Sequence, residues 1–168
     1  MIEDPKLFAF LEKNSEKILA QDTKCLETII ETSCAIKAKI VELDERESNY
    51  RMVLNFGHTI GHAIEALTAY SQFKHGEAVA IGMVYAAKLS CQLGKCSMEV
   101  VNKIEALVER YGLPSRLPQF SVDEYIETLY RDKKAHDKKI RFVLVRDIGT
   151  VEIVDHVAEG DIQKVLTA

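Results

Sequence analysis

Residues 55–65 read NFGHTIGHAIE, and residues 75–78 read HGEA. Together these segments hold three of the five histidines in the chain. If the first segment is helical, His58 and His62 lie one turn apart on the same face. His75 opens the next apolar segment. Because neutral imidazole is the commonest metal-ligand side chain, this clustering predicts a divalent metal site.

The composition is that of a globular protein. The chain has 168 residues, of which 47% are hydrophobic and 29% are charged, so we predict one domain spanning residues 1–168. The net charge of −4 argues against a nucleic-acid partner. No apolar run is long enough to cross a bilayer and the N-terminus does not resemble a signal peptide, so we expect a cytoplasmic protein without a membrane partner.

The cysteines and glycines exclude several kinds of site. The four cysteines form neither a CxxC motif nor zinc-ribbon spacing; three of them sit among the apolar residues of predicted helices, so we predict buried, reduced thiols. None of the eight glycines belongs to a GxGxxG motif or a P-loop. The chain is therefore not expected to bind a dinucleotide or ATP by those routes.

Apolar periodicity predicts a mainly α fold, a compact multi-helix domain with a small β-hairpin near the C-terminus. The predicted helices cover about residues 5–20, 25–43, 54–68, 75–94, 97–111, 121–131 and 160–166, and the predicted strands cover 140–145 and 150–154. The helix that begins at His75 is apolar nearly all round and should be the most buried. The inward face of the long second helix is predicted to comprise Leu26, Ile29, Ile30, Ala35, Ile36, Ile40 and Leu43.

The histidine segment is not a zincin motif, because Thr59 occupies the position of the catalytic glutamate in H-E-x-x-H. A catalytic zinc needs about three protein ligands, of which His58 and His75 would supply two. His62 is then either a third ligand or an acid–base group. The glycines at positions 57 and 61 suggest close approach by a ligand or by another helix. The alternative is that the histidines are structural.

Cations form a second pattern. Arg51, Asn55 and His58 are spaced i, i+4 and i+7, so one helical face would present guanidinium, amide and imidazole together. Lys37 and the Lys133/Lys134 pair lie near turns or helix ends. Arginine and lysine together hold carboxylates and phosphates, which indicates a small, acidic, hydroxylated substrate. The alternative is a solvated surface.

These motifs resemble the C-terminal, metal- and substrate-binding domain of 3-dehydroquinate synthase. The resemblance rests on Lys37, residues 44–47 (DERE), Arg51, residues 54–65, residues 75–83 and residues 132–134 (DKK). It implies conversion of 3-deoxy-D-arabino-heptulosonate 7-phosphate to 3-dehydroquinate and phosphate in the shikimate pathway, with transient use of NAD⁺ and with Zn²⁺ or Co²⁺ as Lewis acid. By motif position, the metal ligands would be His58 and His75, and the proton acceptors or relays would be His62 and Glu47. The residues that contact the substrate would be Lys37, Arg51, Asn55 and Lys134, with Lys133 as the alternative to Lys134.

The departures from the family pattern predict a fragment of a two-domain enzyme. The N-terminal NAD-binding half is absent, and the third metal ligand, a glutamate, would precede residue 1. Asn49 stands where the family commonly has glycine. We therefore expect this chain to be inactive alone, and the full-length enzyme to be a homodimer. The alternatives are a related sugar-phosphate cyclase such as a 2-deoxy-scyllo-inosose synthase, a polyol dehydrogenase domain, or a non-catalytic helical metal-binding module or scaffold.

Overall fold

The computed structural model describes residues 2–45, 50–134 and 140–167, with the side chains of residues 132–134 outside the description. It confirms a mainly α fold with one antiparallel hairpin. The elements are α1 (Pro5–Lys13), α2 (Ser15–Leu19), α3 (Thr23–Leu43), a 3₁₀ helix (Tyr50–Asn55), α4 (His58–Leu67), α5 (His75–Gln92), α6 (Met98–Arg110), α7 (Val122–Lys134), β1 (Phe142–Asp147), β2 (Thr150–Val154) and α8 (Glu159–Leu166).

Local capping explains most of the helix boundaries. The Asp4 carboxylate accepts hydrogen bonds from the backbone N–H groups of the first turn of α1. Ser121 and Glu124 form a capping box before α7, with the Ser121 N–H donating to the Glu124 carboxylate at 2.8 Å. Gly94 and Gly112 follow α5 and α6 with φ of +69° and +67°. These left-handed conformations end the helices where the sequence indicates.

The first predicted helix is instead two helices, α1 and α2, which meet at Asn14. The side-chain amide of Asn14 and its backbone N–H both donate to the Phe10 carbonyl. The backbone of Asn14, with φ of −111° and ψ of 17°, departs from helical geometry, and asparagine favours such local side-chain-to-backbone hydrogen bonds at helix ends.

Helix α5 occupies the centre of the fold, as predicted. Ala80, Ile81, Val84 and Leu89 are fully buried. The helix packs against α4, α6, α8 and the buried strand β1. Because α5 is enclosed on most sides, its N-terminal residue His75 has a well-defined position relative to α4.

Helix α3 differs from its prediction. Only Cys25 and Ile40 are buried on it, whereas Ile30 and Leu43 are 63% and 64% exposed and Ala35 is also exposed. A helix buries its apolar stripe only where another element covers it, and the main neighbours of α3 in the described structure are α2 and the 3₁₀ helix. Amphipathic periodicity therefore identified the helix but not the degree of its burial.

The cysteines are all free thiols in the described structure. The prediction of a buried thiol holds for Cys25, is wrong for the exposed Cys34, and is half met by the partly buried Cys91 and Cys96. Among the described residues, no helix combines the length and the hydrophobicity that crossing a membrane requires.

Candidate metal centre

Helices α4 and α5 cross in backbone contact, and glycines make this crossing possible. A Cβ atom added to Gly82 would lie 2.0 Å from the Gly57 carbonyl oxygen, and one added to Gly61 would lie 3.1 Å from the Val79 Cα. Gly57 also has φ of +84° at the N-cap of α4, a conformation that suits glycine. The close approach predicted from these glycines is confirmed, and the partner is α5.

This crossing brings together the three histidines singled out from the sequence. The ring centroids of His58 and His62 are 5.5 Å apart, those of His58 and His75 are 5.3 Å apart, and those of His62 and His75 are 6.0 Å apart. Imidazoles that share a tetrahedral zinc ion, with Zn–N distances of about 2.0–2.1 Å, have centroids about 5 Å apart. The separations between the three ring centroids are therefore close to those of imidazoles that share an ion.

Oxygen atoms contact the Nδ1 atoms of two of the rings. His75 Nδ1 lies 3.0 Å from Glu65 Oε1, and His58 Nδ1 lies 3.4 Å from the Phe56 carbonyl oxygen. A metal-bound histidine commonly donates its second ring N–H to such an oxygen, which orients the ring. The ring of His62 forms no hydrogen bond within the described residues, so both of its nitrogens remain available.

A second ligand set is compatible with the geometry. One ligand atom from each of His62, Glu65 and His75 lies within 4.8 Å of the others. Glu65 is buried, while the two histidines are exposed. Glu65 is the last residue of the histidine segment 55–65, and its pairing with His75 is a contact that helical spacing does not predict.

Burial lowers the pKa of His58, and repulsion from His62 and His75 lowers it further, while the Phe56 carbonyl acts in the opposite direction. A lowered pKa keeps the imidazole neutral near pH 7. Since a metal ligand needs a free nitrogen lone pair, this environment suits coordination.

An open cleft lies beside the histidines. Its lining includes Asn55, His58 and His62, together with Arg131 of α7 and Arg141, the residue before β1. The two arginines were not singled out from the sequence. Arg131 and Arg141 lie on either side of the cationic segment at residues 132–139. In the sequence, the positive charge that continues beyond both ends of this segment could have drawn attention to them.

Thr59 helps to bring Arg141 to this cleft. Its hydroxyl donates a hydrogen bond of 3.0 Å to the Arg141 carbonyl oxygen, which ties the start of the hairpin to α4. Thr59, whose presence excluded a zincin motif, therefore has a structural role in this contact.

The prediction that Arg51, Asn55 and His58 share one face of an α-helix is wrong. Residues 50–55 are a 3₁₀ helix, and left-handed Gly57 separates them from α4. Asn55 nevertheless lines the cleft, whereas Arg51 does not, and the Arg51 N–H donates to the Asp44 carboxylate at 3.0 Å.

The remaining predicted site residues are either not among those that line the cleft or lie outside the described residues. Lys37 is exposed on α3 and is not among the residues that line the cleft. Glu47 and Asn49 lie outside the described residues, and so does the side chain of Lys134 at the end of α7.

Comparison with known proteins identifies the family. The family model described as 3-dehydroquinate synthase C-terminal matches residues 1–135. The chain belongs to the 3-dehydroquinate synthase family. The resemblance noted in the sequence is thereby confirmed. The 3-dehydroquinate synthase of Geobacter metallireducens is 51% identical over 154 residues, covering 92% of this chain and 43% of that protein. That of Thermoanaerobacter pseudethanolicus is 48% identical over 166 residues, covering 99% and 46%. The chain thus spans less than half the length of these synthases.

Solved structures show the same fold. A 2-epi-5-epi-valiolone synthase from Streptomyces hygroscopicus subsp. jinggangensis, with NAD⁺ and Zn²⁺ bound, superposes with a TM-score of 0.87 at 23% identity, covering 99% of this chain and 46% of that one. A 2-deoxy-scyllo-inosose synthase complexed with carbaglucose-6-phosphate, NAD⁺ and Co²⁺ has a TM-score of 0.72 at 27% identity, covering 85% and 42%. The fold of this 3-dehydroquinate synthase family member is therefore that of the matching part of these two synthases.

Proposed function

We propose that this chain is the metal- and substrate-binding C-terminal domain of a two-domain 3-dehydroquinate synthase. The whole enzyme would convert 3-deoxy-D-arabino-heptulosonate 7-phosphate to 3-dehydroquinate and phosphate, with NAD⁺ bound mainly by an N-terminal half. The observation that carries the proposal is the convergence of His58, His62 and His75 at the crossing of α4 and α5, beside a cleft with two arginines.

His58 and His75 would hold the metal ion, and a glutamate of the N-terminal half would complete its ligands. Both rings have an oxygen near Nδ1, so each would offer Nε2 as the ligand atom. Zn²⁺ or Co²⁺ bound there would supply Lewis-acid polarisation of substrate oxygens. The zinc in the valiolone synthase and the cobalt in the deoxyinosose synthase support a divalent ion at this site.

His62 would accept a proton from the substrate. Its ring lies 5.5 Å from that of His58 and is exposed towards the cleft, and neither ring nitrogen forms a hydrogen bond within the described residues. An imidazole ring can both accept and release a proton, which suits general acid–base work. By motif position, Glu47 would relay the proton onward.

The cations and Asn55 would hold the substrate. Arg131 and Arg141 line the same cleft as Asn55, so a carboxylate or phosphate in the cleft would meet the Arg131 guanidinium and would compete with Asp155, 3.1 Å from Arg141 Nε, for the second. By motif position, Lys37, Arg51 and Lys134 would complete the anion contacts in the whole enzyme.

For the whole enzyme we further propose a cytoplasmic homodimer with no nucleic-acid or membrane partner. The negative net charge supports the absence of nucleic acid. The names of the related synthases support a biosynthetic enzyme that acts on a small phosphorylated sugar acid.

A chimera tests the proposal. This chain would replace the matching 43% of the Geobacter metallireducens synthase, so that the N-terminal part of that protein supplies the missing half. With NAD⁺ and Zn²⁺, we expect the chimera to release phosphate from the heptulosonate phosphate and not from glucose 6-phosphate. The chain alone should release none.

Two variants control the experiment. His62→Asn should abolish phosphate release, and His156→Ala, which changes an exposed histidine near α8, should not. A folded chimera that binds NAD⁺ but releases no phosphate would contradict the proposal. Turnover of glucose 6-phosphate alone would favour a deoxyinosose synthase instead, and turnover by the isolated chain would contradict the two-domain assignment.

A further inference from the structure

Glu65 is a buried carboxylate directly beside the histidine cluster. It lies on the last turns of α4 and is 8% exposed. Its Oε1 lies 3.0 Å from His75 Nδ1, ten residues later in the chain. Burying a carboxylate is costly unless it is hydrogen-bonded or paired, so the contact with His75 offsets a cost that a surface glutamate would not incur.

The connection between α4 and α5 is built to place His75 against Glu65. The backbone N–H of Tyr70 donates to the Glu65 carbonyl at 2.8 Å. Ala69 and Tyr70 adopt positive φ values of 49° and 55°, which is uncommon for residues with a side chain. This turn and the glycine crossing together set the distance between the carboxylate and the imidazole.

We propose that Glu65 is a positioning residue that accepts the Nδ1–H of His75 and so presents the His75 Nε2 lone pair to the metal ion. The inference rests on the proposed metal site and adds a residue to it. In this arrangement the neutral ring keeps its proton on Nδ1, and the carboxylate restrains rotation of the ring. Carboxylates that hold metal-bound histidines in this way commonly change metal affinity when they are removed.

The competing arrangement makes Glu65 a direct ligand together with His62 and His75. If His75 then bound the ion through Nδ1, the nitrogen next to Glu65, that atom could carry no proton. The 5.3 Å separation of the His58 and His75 rings favours the first arrangement, because His58 also has an oxygen at Nδ1 and offers Nε2. Both rings then meet the ion in the same way.

The first measurement is the tautomer of His75 in the metal-free chain, read from long-range ¹H–¹⁵N NMR correlations at slightly alkaline pH. We expect the Nδ1–H tautomer in the wild type and in Glu65→Gln, which keeps an oxygen acceptor. Glu65→Ala should shift His75 towards the Nε2–H tautomer. Glu77→Gln is the matched control. Glu77 lies in the first turn of α5, as His75 does, but its carboxylate accepts a hydrogen bond from the Lys74 N–H at 2.8 Å.

The second measurement is zinc affinity by calorimetry. Glu65→Ala should weaken binding about 10- to 100-fold, Glu65→Gln should weaken it less, and Glu77→Gln should leave it unchanged. A wild-type His75 with its proton on Nε2 would overturn the proposal, as would an unchanged zinc affinity in Glu65→Ala. X-ray absorption that shows one oxygen ligand fewer in Glu65→Gln would assign Glu65 as a ligand and would also overturn it.

Failure of this inference is separable from failure of the proposed function. The tautomer is read without metal or substrate, whereas phosphate release by the chimera tests the function. The wild-type spectrum alone decides the Nδ1–H contact if Glu65→Ala does not fold.

Discussion

The crossing of α4 and α5 predicts that Gly82→Ala destabilises the protein and disturbs the metal site. The new Cβ would lie 2.0 Å from the Gly57 carbonyl oxygen and 2.9 Å from the Gly61 nitrogen. Real Cβ contacts are essentially never shorter than 3.0 Å, so the two helices must separate locally by about 1 Å. The obstructing atoms are backbone atoms, which a rotamer change cannot move.

The expected cost combines two opposing effects. Overpacking of a tight interface typically costs about 1–3 kcal/mol, and a backbone obstruction places this substitution at the upper end. Alanine recovers up to about 1 kcal/mol over glycine in a helix. The net loss is then about 2 kcal/mol, which corresponds to a fall in Tm of about 4–8 °C for a chain of this size.

Circular dichroism would follow the thermal and urea unfolding of the wild type and of Gly82→Ala. Gly76→Ala is the matched control on the same helix, because nothing lies within 4 Å of a Cβ added there. It should be neutral or stabilise by less than about 1 kcal/mol. Zinc affinity should fall in Gly82→Ala, since α4 carries two of the histidines, and should not fall in Gly76→Ala. A Gly82→Ala protein as stable as the wild type would refute the backbone contact between the helices.

Three further predictions follow from the site and the core. Zinc should bind this chain weakly in calorimetry, because one metal ligand is expected from outside the chain. His58→Ala or His75→Ala should abolish zinc binding, whereas His156→Ala should not. Tight zinc binding that survives His58→Ala would contradict the assignment of the ligands. The lowered pKa of His58 means that the unfolded chain binds more protons, so the free energy of unfolding of the metal-free chain should fall as the pH drops below the ordinary histidine value of 6.5, and urea titrations should show a smaller fall in His58→Gln. Ile30→Ser on exposed α3 should change stability by less than about 0.5 kcal/mol, whereas Ile81→Ala in buried α5 should cost about 2–5 kcal/mol; equal urea midpoints for the two variants would refute the burial described for α3 and α5.

Sequence reasoning succeeded where the physical cause is local. The Asp4 cap, the Ser121 capping box and the glycines after α5 and α6 act within one helical turn, so the residues that end a helix are neighbours in sequence. The apolar character of α5 likewise predicted its burial, because a helix without a polar face has no side to leave in water.

It failed where a residue depends on a distant partner. Periodicity marked an inward face on α3, but burial requires a covering element, and Ile30 and Leu43 remain exposed. An unbroken helical face from Arg51 to His58 was also expected, and left-handed Gly57 interrupts it. That conformation is coupled to the contact with Gly82, 25 residues later in the chain.

For the candidate site, residue types and spacing were sufficient to select three histidines and the family. Their grouping round one point, the carboxylate of Glu65 at His75 Nδ1, and the two arginines of the cleft came only from the packing of α4 against α5 and the hairpin. The sequence gives the chemistry of each side chain, and helical spacing predicts which residues of one helix share a face. The distance between groups on different elements depends on how closely backbones approach, and here glycines without side chains determine that approach.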